Sequence, residues 1–562
     1  MKLLTLNILT ENEQEFRTVY DSALDQIRSI SEMDVRLISI HNRKYDAFLE
    51  ALTQADSQYV MFYDDNDLLD HKEMAYLTKK ISECDAPVIS QRLYFENVQN
   101  KKEFLVGAMR KNNFYFSRYI FRTDSLRKLS FNENEQMFFE EKIILELTKD
   151  VEEIPLFGKT TLVTQSPMEL NVNLYPKQFT HEWYIPFFED FLLPYIDKNT
   201  LTKTQQRYLV YFIMQRIYLN ANDRDKHVLE REEIDKFFEL VKRVIEHIDD
   251  EYICEIRHRG LIHHYYPYLM MKEKYSRAEF KIACENNEIW YYLNGVQYAK
   301  DVVKTRISLI EYKDNKLVIE GEILGDYCLK DIRKDFRILL NKEEVPFVRT
   351  ERYNLSKAFG KTMYRYYPFK FEVDRANLET RSKIHFEIIT SSGWVKIPLE
   401  FDKVSSRLVR SNWSYYIFDN KMIRFSGENL IISDTSPIKI AAFETLMMLK
   451  MIKNDKRKSR AIQNVGLRLL YWITKNNYKK KPIWIFYDKL YKAGDNAEYL
   501  FRYCMENHPE ADSYYILNKT ANEYRSLKNK YGKLIVAFES VRNRLGVLNA
   551  QVVFAPHATV WG

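Results

Sequence analysis

With 562 residues, the chain is long enough for three or four domains that each bury a core of their own. Its composition, 46% apolar and 29% charged residues, is that of a folded globular protein and excludes extensive disorder. The net charge of +6 is too small to mark the whole chain as a nucleic-acid-binding protein.

The first seventy or so residues predict a nucleotide-binding sheet. Apolar runs predict strands over residues 2–9, 35–40 and 59–63, and helical spacing predicts helices over 16–27 and 45–55. Strand, helix, strand, helix, strand is the order of a parallel α/β sheet.

An acidic turn, Asp64-Asp65-Asn66-Asp67, follows the third predicted strand. Carboxylates at the end of a rigid strand suit Mg²⁺ or Mn²⁺, which would bridge the charge of a nucleoside diphosphate. We therefore predict that Asp65 and Asp67 bind a divalent metal and that Asp64 contacts substrate. The alternative is an ordinary solvated turn, because Asp and Asn favour turns.

The segment 116–147 resembles the acceptor side of inverting, family-2-type glycosyltransferases. That family has Phe, Asp or Asn, and Glu, followed several residues later by Glu-Asp; here Phe131-Asn132-Glu133 and Glu140-Glu141 stand in those places. The resemblance implies that Glu141 is the general base that deprotonates the acceptor hydroxyl, with Glu140 beside it in the catalytic site. The family usually has Asp at the position of Glu141, and the alternative is an ordinary charged first turn of a helix.

In the middle of the chain, the spacing of the apolar residues changes twice. Aromatic, helical patterns extend from Glu182 to about Trp290, and short alternating runs separated by turns occupy 302–432. The first pattern predicts a helical extension, and the second predicts an antiparallel β-sandwich.

The stretch from Lys450 to Lys481 carries eleven Lys or Arg residues and one acid, Asp455, beside apolar residues at helical spacing. Such a helix suits an anionic membrane surface. The alternative is a solvated helix that packs its apolar side on a neighbouring domain; nucleic-acid binding has no recognition motif behind it. The residues predicted to bind the membrane are Lys456, Arg457, Lys458, Arg460 and Trp472.

Residues 482 to 557 predict four strands of a parallel sheet, over 483–486, 513–517, 534–538 and 552–555, with helices between them. Ligands of such sheets bind at the carboxyl ends of the strands. The polar residues predicted at that edge, as substrate-binding candidates, are Asp488, Asp495, Asn496, Ser540 and His557.

This last segment resembles the bacterial CDP-glycerol or CDP-ribitol polyol-phosphate transferases, which build teichoic acids and some capsules. The similar text is WIFYDKLYKAGDNAEYLFRYCMENHPEADSYYILNK, then YGKLIVAFES and NAQVVFAPHATVWG. The resemblance implies the first, Rossmann-like half of a GT-B fold. That family places its catalytic histidines in His-Gly motifs of the second half, and none of the eleven histidines here precedes Gly. We therefore expect no polyol-phosphate transfer by these 562 residues alone.

Together these patterns predict a multidomain α/β protein. The predicted units are a GT-A-like nucleotide-sugar domain (1–180), a helical extension (181–295), a β-sandwich spacer (300–435), a basic helical bridge (436–481) and a Rossmann-like half of a GT-B fold (482–562).

The predicted function is transfer of sugar or polyol phosphate in the synthesis of a teichoic acid or capsule. Expected partners are a nucleotide-activated sugar or CDP-polyol, a lipid-linked acceptor and an anionic membrane, without nucleic acid. Five scattered cysteines without a Cys-X-X-Cys pair favour a reducing cytoplasm. No signal peptide or apolar run of about 18 residues is present, so we expect a peripheral protein on the inner face of the bacterial membrane. The alternative is a non-catalytic scaffold or binding subunit of the same lineage.

Overall fold

The computed structural model is a mixed α/β protein with several sheets, as predicted. It describes residues 2–10, 33–40, 43–63, 67–69, 71–97, 102–105, 116–166, 180–220, 228–255, 265–286, 288–351, 354–402, 405–454, 458–478 and 480–555. The predicted helix over 16–27 and the site candidates Asp64, Asp65, Lys456, Arg457 and His557 lie outside these residues.

The N-terminal sheet has the strand order β2-β1-β3-β7-β5-β8-β4, and β6 pairs with β5. Strands β1, β2 and β3 run parallel, and β7 joins β3 in the antiparallel direction. Every residue of β1 and β3 is buried, as expected for central strands covered on both faces. The predicted strand over 59–63 is confirmed at both ends. The strands are β1 (Leu4–Thr10), β2 (Met33–Ser39), β3 (Tyr59–Tyr63), β4 (Asp67–Leu69), β5 (Val88–Asn97), β6 (Lys102–Leu105), β7 (Tyr119–Arg122) and β8 (Leu156–Ser166).

Helices flank this sheet and continue beyond it. The helices with the sheet are α1 (Lys44–Gln54), α2 (His71–Ser82), α3 (Thr123–Arg127), α4 (Glu133–Gln136) and α5 (Phe139–Leu147). The helices that follow are α6 (Leu193–Lys198), preceded by a π-helical turn over Phe187–Leu192, α7 (Lys203–Leu219), α8 (Arg231–Ile245), α9 (Asp250–Cys254) and α10 (Tyr266–Tyr275).

The prediction of helical structure up to about Trp290 is wrong after residue 275. Residues 280–300 form an antiparallel three-stranded sheet of β9 (Phe280–Glu285), β10 (Glu288–Leu293) and β11 (Val296–Lys300). Asn294 and Gly295 join β10 to β11, and both have positive φ, at 48° and 87°. An Asn-Gly pair between alternating residues is a hairpin signal, and the aromatic helical pattern before it concealed that signal.

Two sheets form a sandwich between residues 304 and 434. Their orders are β16-β19-β13-β12-β22 and β15-β14-β20-β25-β24-β23, with β21 on β20. Rings of the two sheets meet in the core, for example Phe336 of β14 and Phe369 of β19 at 6.0 Å between centroids. The pairing is antiparallel as predicted except for β22, which runs parallel to β12.

The sandwich strands are β12 (Lys304–Lys313), β13 (Lys316–Leu324), β14 (Phe336–Leu340), β15 (Glu343–Val345), β16 (Phe347–Arg349), β17 (Leu355–Ala358), β18 (Lys361–Arg365), β19 (Tyr367–Asp374), β20 (Arg381–Thr390), β21 (Gly393–Lys396), β22 (Leu399–Phe401), β23 (Tyr415–Phe418), β24 (Lys421–Phe425) and β25 (Leu430–Asp434). A one-turn helix, α11 (Ile332–Asp335), precedes β14.

The hairpin β17–β18 attaches the sandwich to the helices before it. Phe359 at its tip has φ of 51°, a left-handed conformation that costs a residue with a side chain about 1–2 kcal/mol. Its ring is 3% exposed and lies 5.2 Å from Phe237 and 5.7 Å from Tyr184, measured between centroids. Burial of an aromatic ring stabilises by a similar or larger amount, so packing holds the hairpin in this conformation.

Two long helices, α12 (Pro437–Asn454) and α13 (Lys458–Tyr478), lead to the last sheet. Its four parallel strands have the order β28-β27-β26-β29, as expected for successive strand–helix–strand units. Its elements are β26 (Ile483–Phe486), α14 (Asn496–Asn507), β27 (Asp512–Leu517), α15 (Tyr524–Tyr531), β28 (Ile535–Ala537), α16 (Val541–Asn549) and β29 (Val552–Phe554). Within the described chain, every helix is too short or too polar to cross a membrane.

Candidate functional site

A cluster of aromatic rings joins the carboxyl end of β3 to the first turn of α5. Phe62, the penultimate residue of β3, lies 5.8 Å from Phe116, and Phe116 lies 5.7 Å from Phe139, measured between ring centroids. Phe48 of α1 lies 5.0 Å from both Phe62 and Phe139. Because Phe62 precedes the acidic turn and Phe139 precedes Glu140, this cluster brings the two predicted parts of the site to one region.

Glu140 is buried in the first turn of α5, at 9% exposure. The Nζ atom of Lys44, the first residue of α1, lies 2.8 Å from its Oε1 atom. Sequence analysis did not identify Lys44, because a lysine at the start of a helix carries no distinctive signal.

Glu141 is also buried, at 4% exposure, and Arg216 of α7 supplies a nearby positive charge. Burial lowers the pKa of the Arg216 guanidinium to about 9, and the negative charge of Glu141 opposes this shift. The Nε atom of Arg216 donates to the Trp183 carbonyl at 2.6 Å, and its guanidinium lies 3.6 Å from the centroid of the Phe187 ring. These contacts do not fit the alternative of a solvent-exposed helical turn.

Arg216 is the functional candidate that sequence analysis missed. It lies in the apolar helical stretch YLVYFIMQRIYL, where a charged residue on a buried face needs a partner. That isolated charge was a usable signal, but the identity of its partner follows only from the fold.

In the segment Phe131-Asn132-Glu133, one residue caps a helix and another packs on a neighbouring ring. Asn132 caps α4, and its side chain accepts a hydrogen bond from the Glu135 backbone N–H at 3.0 Å. Phe131 packs its ring on Tyr45 at 5.5 Å between centroids. These residues therefore position the chain that leads to Glu140 and Glu141.

The metal prediction concerns the acidic turn. Asp67 is the first residue of β4, where it pairs with Thr164 of β8, and Asp64 and Asp65 are not described. Among the residues that the structure describes, no group of three or more His, Cys, Asp or Glu side chains forms a metal site. Metal binding by Asp65 and Asp67 stays a prediction.

In the C-terminal sheet, Asp488 follows β26 and is 1% exposed. Its carboxylate accepts hydrogen bonds from the backbone N–H groups of Ala497 and Glu498 at 2.9 and 3.1 Å, and from the Tyr515 hydroxyl at 2.8 Å. These three donors show that Asp488 stabilises the start of α14, where acceptors are favourable, and its predicted contact with substrate stays a prediction.

The other residues of this edge cap helices. Asp495 is the N-cap of α14 and accepts from the Asn496 backbone N–H at 2.8 Å. Ser540 is the N-cap of α16 and accepts from the Asn543 backbone N–H at 3.1 Å. Asn496 is exposed in the first turn of α14. Their predicted contacts with substrate stay predictions.

The predicted membrane-binding residues that lie on α13 have different surroundings. Lys458 is its first residue, and Arg460 is exposed beside α16 in a cleft described below. Trp472 is half-buried, with Lys475 Nζ 3.4 Å from a ring centroid of its side chain. Burial acts to raise the pKa of Glu444 on α12, but Arg468, Tyr415 and Trp472 hold it below its usual value. Trp472 therefore faces α12.

The protein is therefore a mixed α/β protein with several sheets, in which two buried acidic residues begin the helix α5. No family model matches the chain. The minor teichoic acid biosynthesis protein GgaB of Bacillus subtilis (strain 168) is 25% identical over 366 residues, which are 63% of this chain and 40% of that protein. This similarity supports the predicted resemblance to proteins of teichoic acid synthesis. The chain spans less than half the length of the relative it matches.

Two solved structures are also similar. The crystal structure of S. aureus TarS has a TM-score of 0.39 and 11% identity, covering 78% of this chain and 86% of that chain. The structure of residues 1–349 of S. aureus TarS in complex with UDP-GlcNAc has a TM-score of 0.32 and 12% identity, covering 51% of this chain and 96% of that chain.

Replacing Arg216 by Gln should destabilise the protein by about 1.5–3 kcal/mol, because the buried carbonyls of Trp183 and Phe212 lose the guanidinium that donates to them at 2.6 and 3.1 Å. The control is Arg207→Gln on the same helix, since Arg207 pairs with Glu255 on the surface and should contribute about 0–1 kcal/mol. Denaturant unfolding followed by tryptophan fluorescence measures both. Equal shifts of the two variants would contradict a stabilising role for the buried Arg216 guanidinium.

Proposed function

We propose that this protein is a glycosyltransferase of teichoic acid-type polymer synthesis that acts on a nucleoside-diphosphate sugar. The observation that carries the proposal is the convergence of the β3 carboxyl end with two buried carboxylates, Glu140 and Glu141. Buried ionisable groups are costly to maintain and concentrate at functional sites. Support from homology comes from the relative named as a teichoic acid biosynthesis protein.

The proposed donor site is the GT-A-like sheet, with the sugar nucleotide at the carboxyl ends of β1 and β3. Asp65 and Asp67 would hold Mg²⁺ or Mn²⁺, because hard cations prefer carboxylate oxygens. When bound, such an ion neutralises the charge of the nucleoside diphosphate as it leaves.

The proposed general base is Glu141. Its carboxylate takes the proton of the acceptor hydroxyl while the acceptor oxygen bonds to the anomeric carbon. The bond from that carbon to the diphosphate breaks, and the nucleoside diphosphate leaves with the electron pair. Arg216 balances the charge of Glu141 from the protein side, and Lys44 holds Glu140 next to it.

The C-terminal sheet is proposed to be part of a CDP-glycerol- or CDP-ribitol-type module that handles the polyol-phosphate chain. We further propose that the acceptor is lipid-linked and that the protein binds the cytoplasmic face of the membrane. Apolar residues along one face of α13 support this: Ile462, Leu469 and Ile473 are 60%, 49% and 77% exposed. Their spacing of seven and four residues places them on a single stripe.

Replacing both Asp65 and Asp67 by Asn should weaken metal-dependent donor binding at least tenfold, since the cation loses its two carboxylates. Isothermal titration of the full chain with a panel of nucleoside-diphosphate sugars including UDP-GlcNAc, with and without Mn²⁺, measures this. The control is Asp56→Asn at the other end of β3, where Asp56 pairs with Arg36 on the surface. Metal-dependent binding that survives in the double variant would rule out this metal site.

Replacing Glu141 by Gln should lower the rate of sugar transfer by about 10²–10⁴-fold while donor affinity is kept, because the amide accepts no proton. Glu146→Gln on the same helix is the control, since Glu146 pairs with Lys149 near the surface. Transfer of radiolabelled sugar to a polyol-phosphate acceptor is the readout. A Glu141→Gln variant as active as the control would assign the base to another residue.

Replacing Leu469 and Ile473 by Gln should reduce the salt-resistant association with anionic vesicles, since each side chain contributes about 1.5–3 kcal/mol when buried in an apolar phase. Replacing Lys456, Arg457 and Lys458 by Gln should reduce the salt-sensitive part. Co-sedimentation with phosphatidylglycerol vesicles at low and high salt separates the two. Val348→Gln is the control, because Val348 is 62% exposed on the sandwich. If neither the apolar nor the basic variant sediments less than the wild type, the membrane contact lies elsewhere.

A further inference from the structure

A polar cleft lies between α13 and the turn that connects β28 to α16. Its volume is about 640 Å³. From α13 it is lined by Ser459, Arg460, Gln463 and Asn464, and from the other side by Glu539 and Arg544. The helical residues recur after one and four positions, so they share one face of α13.

Arg460 and Arg544 face this cleft from two different elements. Within the described parts of the chain, neither guanidinium has a carboxylate within 4.0 Å. Other arginines nearby do have partners: Arg468 of α13 pairs with Glu444 at 2.5 Å, and Arg542 of α16 lies over the ring of Tyr514. The two arginines therefore line one cleft together with the carboxylate of Glu539 but form no ion pair with it, and their guanidinium groups can bind an anion.

The chemistry of the cleft favours a phosphate ester over a simple anion. The guanidinium fork matches the oxygen spacing of phosphate, which it binds through two parallel hydrogen bonds. Glu539 would repel a bare anion, but its carboxylate accepts hydrogen bonds from hydroxyl groups. The amides of Gln463 and Asn464 and the hydroxyl of Ser459 donate to and accept from the same groups.

We propose that this cleft binds a phosphate ester that carries hydroxyl groups, with the phosphate on Arg460 and Arg544 and the hydroxyls toward Glu539. The ligand comes either from a lipid headgroup or from a free polyol phosphate. The inference does not rest on glycosyl transfer, which is assigned to the N-terminal sheet.

The test compares the full-length protein with the double variant Arg460→Gln, Arg544→Gln and with the control Arg542→Gln. Glycerol phosphate is titrated calorimetrically, and flotation is measured with phosphatidylcholine vesicles that contain phosphatidylglycerol. The double variant should lose at least tenfold in one of the two assays, and the control should match the wild type. Loss in the titration alone identifies a free polyol phosphate, and loss with vesicles alone identifies a lipid headgroup.

A second variant tests the role of Glu539. Glu539→Gln should bind inorganic phosphate more tightly than the wild type, because a repulsive charge is removed, and should lose its preference for glycerol phosphate over inorganic phosphate. The proposal is overturned if the double variant equals Arg542→Gln in both assays, or if the wild type binds neither probe. Donor binding by the N-terminal sheet is measured on the same samples, so failure of the cleft is distinguished from failure of the proposed enzyme.

Discussion

The packing of Phe116 between Phe62 and Phe139 is the contact on which the N-terminal site depends. The residues of β3 and those of α5 are about eighty positions apart in the chain. In the described structure, the two elements meet through side chains and not through strand pairing. Aromatic rings bury large areas and prefer particular geometries, so they fix the distance between the elements that carry them. The carboxyl end of β3 and the carboxylates of α5 are thereby held in one region.

Charge is the second constraint on this region. Glu140 and Glu141 are buried; Lys44 of α1 pairs with Glu140 at 2.8 Å, and Arg216 of α7 is a further buried cation. Desolvating two charges costs several kcal/mol, and a well-packed apolar pair would serve stability equally well. Buried ionisable groups are more frequent at functional sites than elsewhere, which is why Glu140 and Glu141 are the residues to test.

The sequence predicted those elements whose signals are local. The strand over 59–63 has the predicted bounds, because a short apolar run ends directly at the first Asp of an acidic turn. The hairpin of β10 and β11 was missed, since neighbouring aromatic helices masked the Asn-Gly turn. The roles of Arg216 and Asp488 were not predictable, because each depends on partners brought close by folding: Glu141 for the first, and the start of α14 for the second. The order of strands in the sheet was not predictable either. β7 lies between β3 and β5 in the sheet, although it follows both in the sequence.

The central claim is that the end of β3 and the start of α5 form one sugar-nucleotide site. Hydrogen–deuterium exchange of the full chain, with and without nucleoside-diphosphate sugars and Mn²⁺, tests it directly. The structure predicts that peptides covering 59–69 and 133–147 gain protection together with the same donor, at the same concentration. Protection confined to residues 482–555, or of only one of the two N-terminal segments, would contradict a shared site.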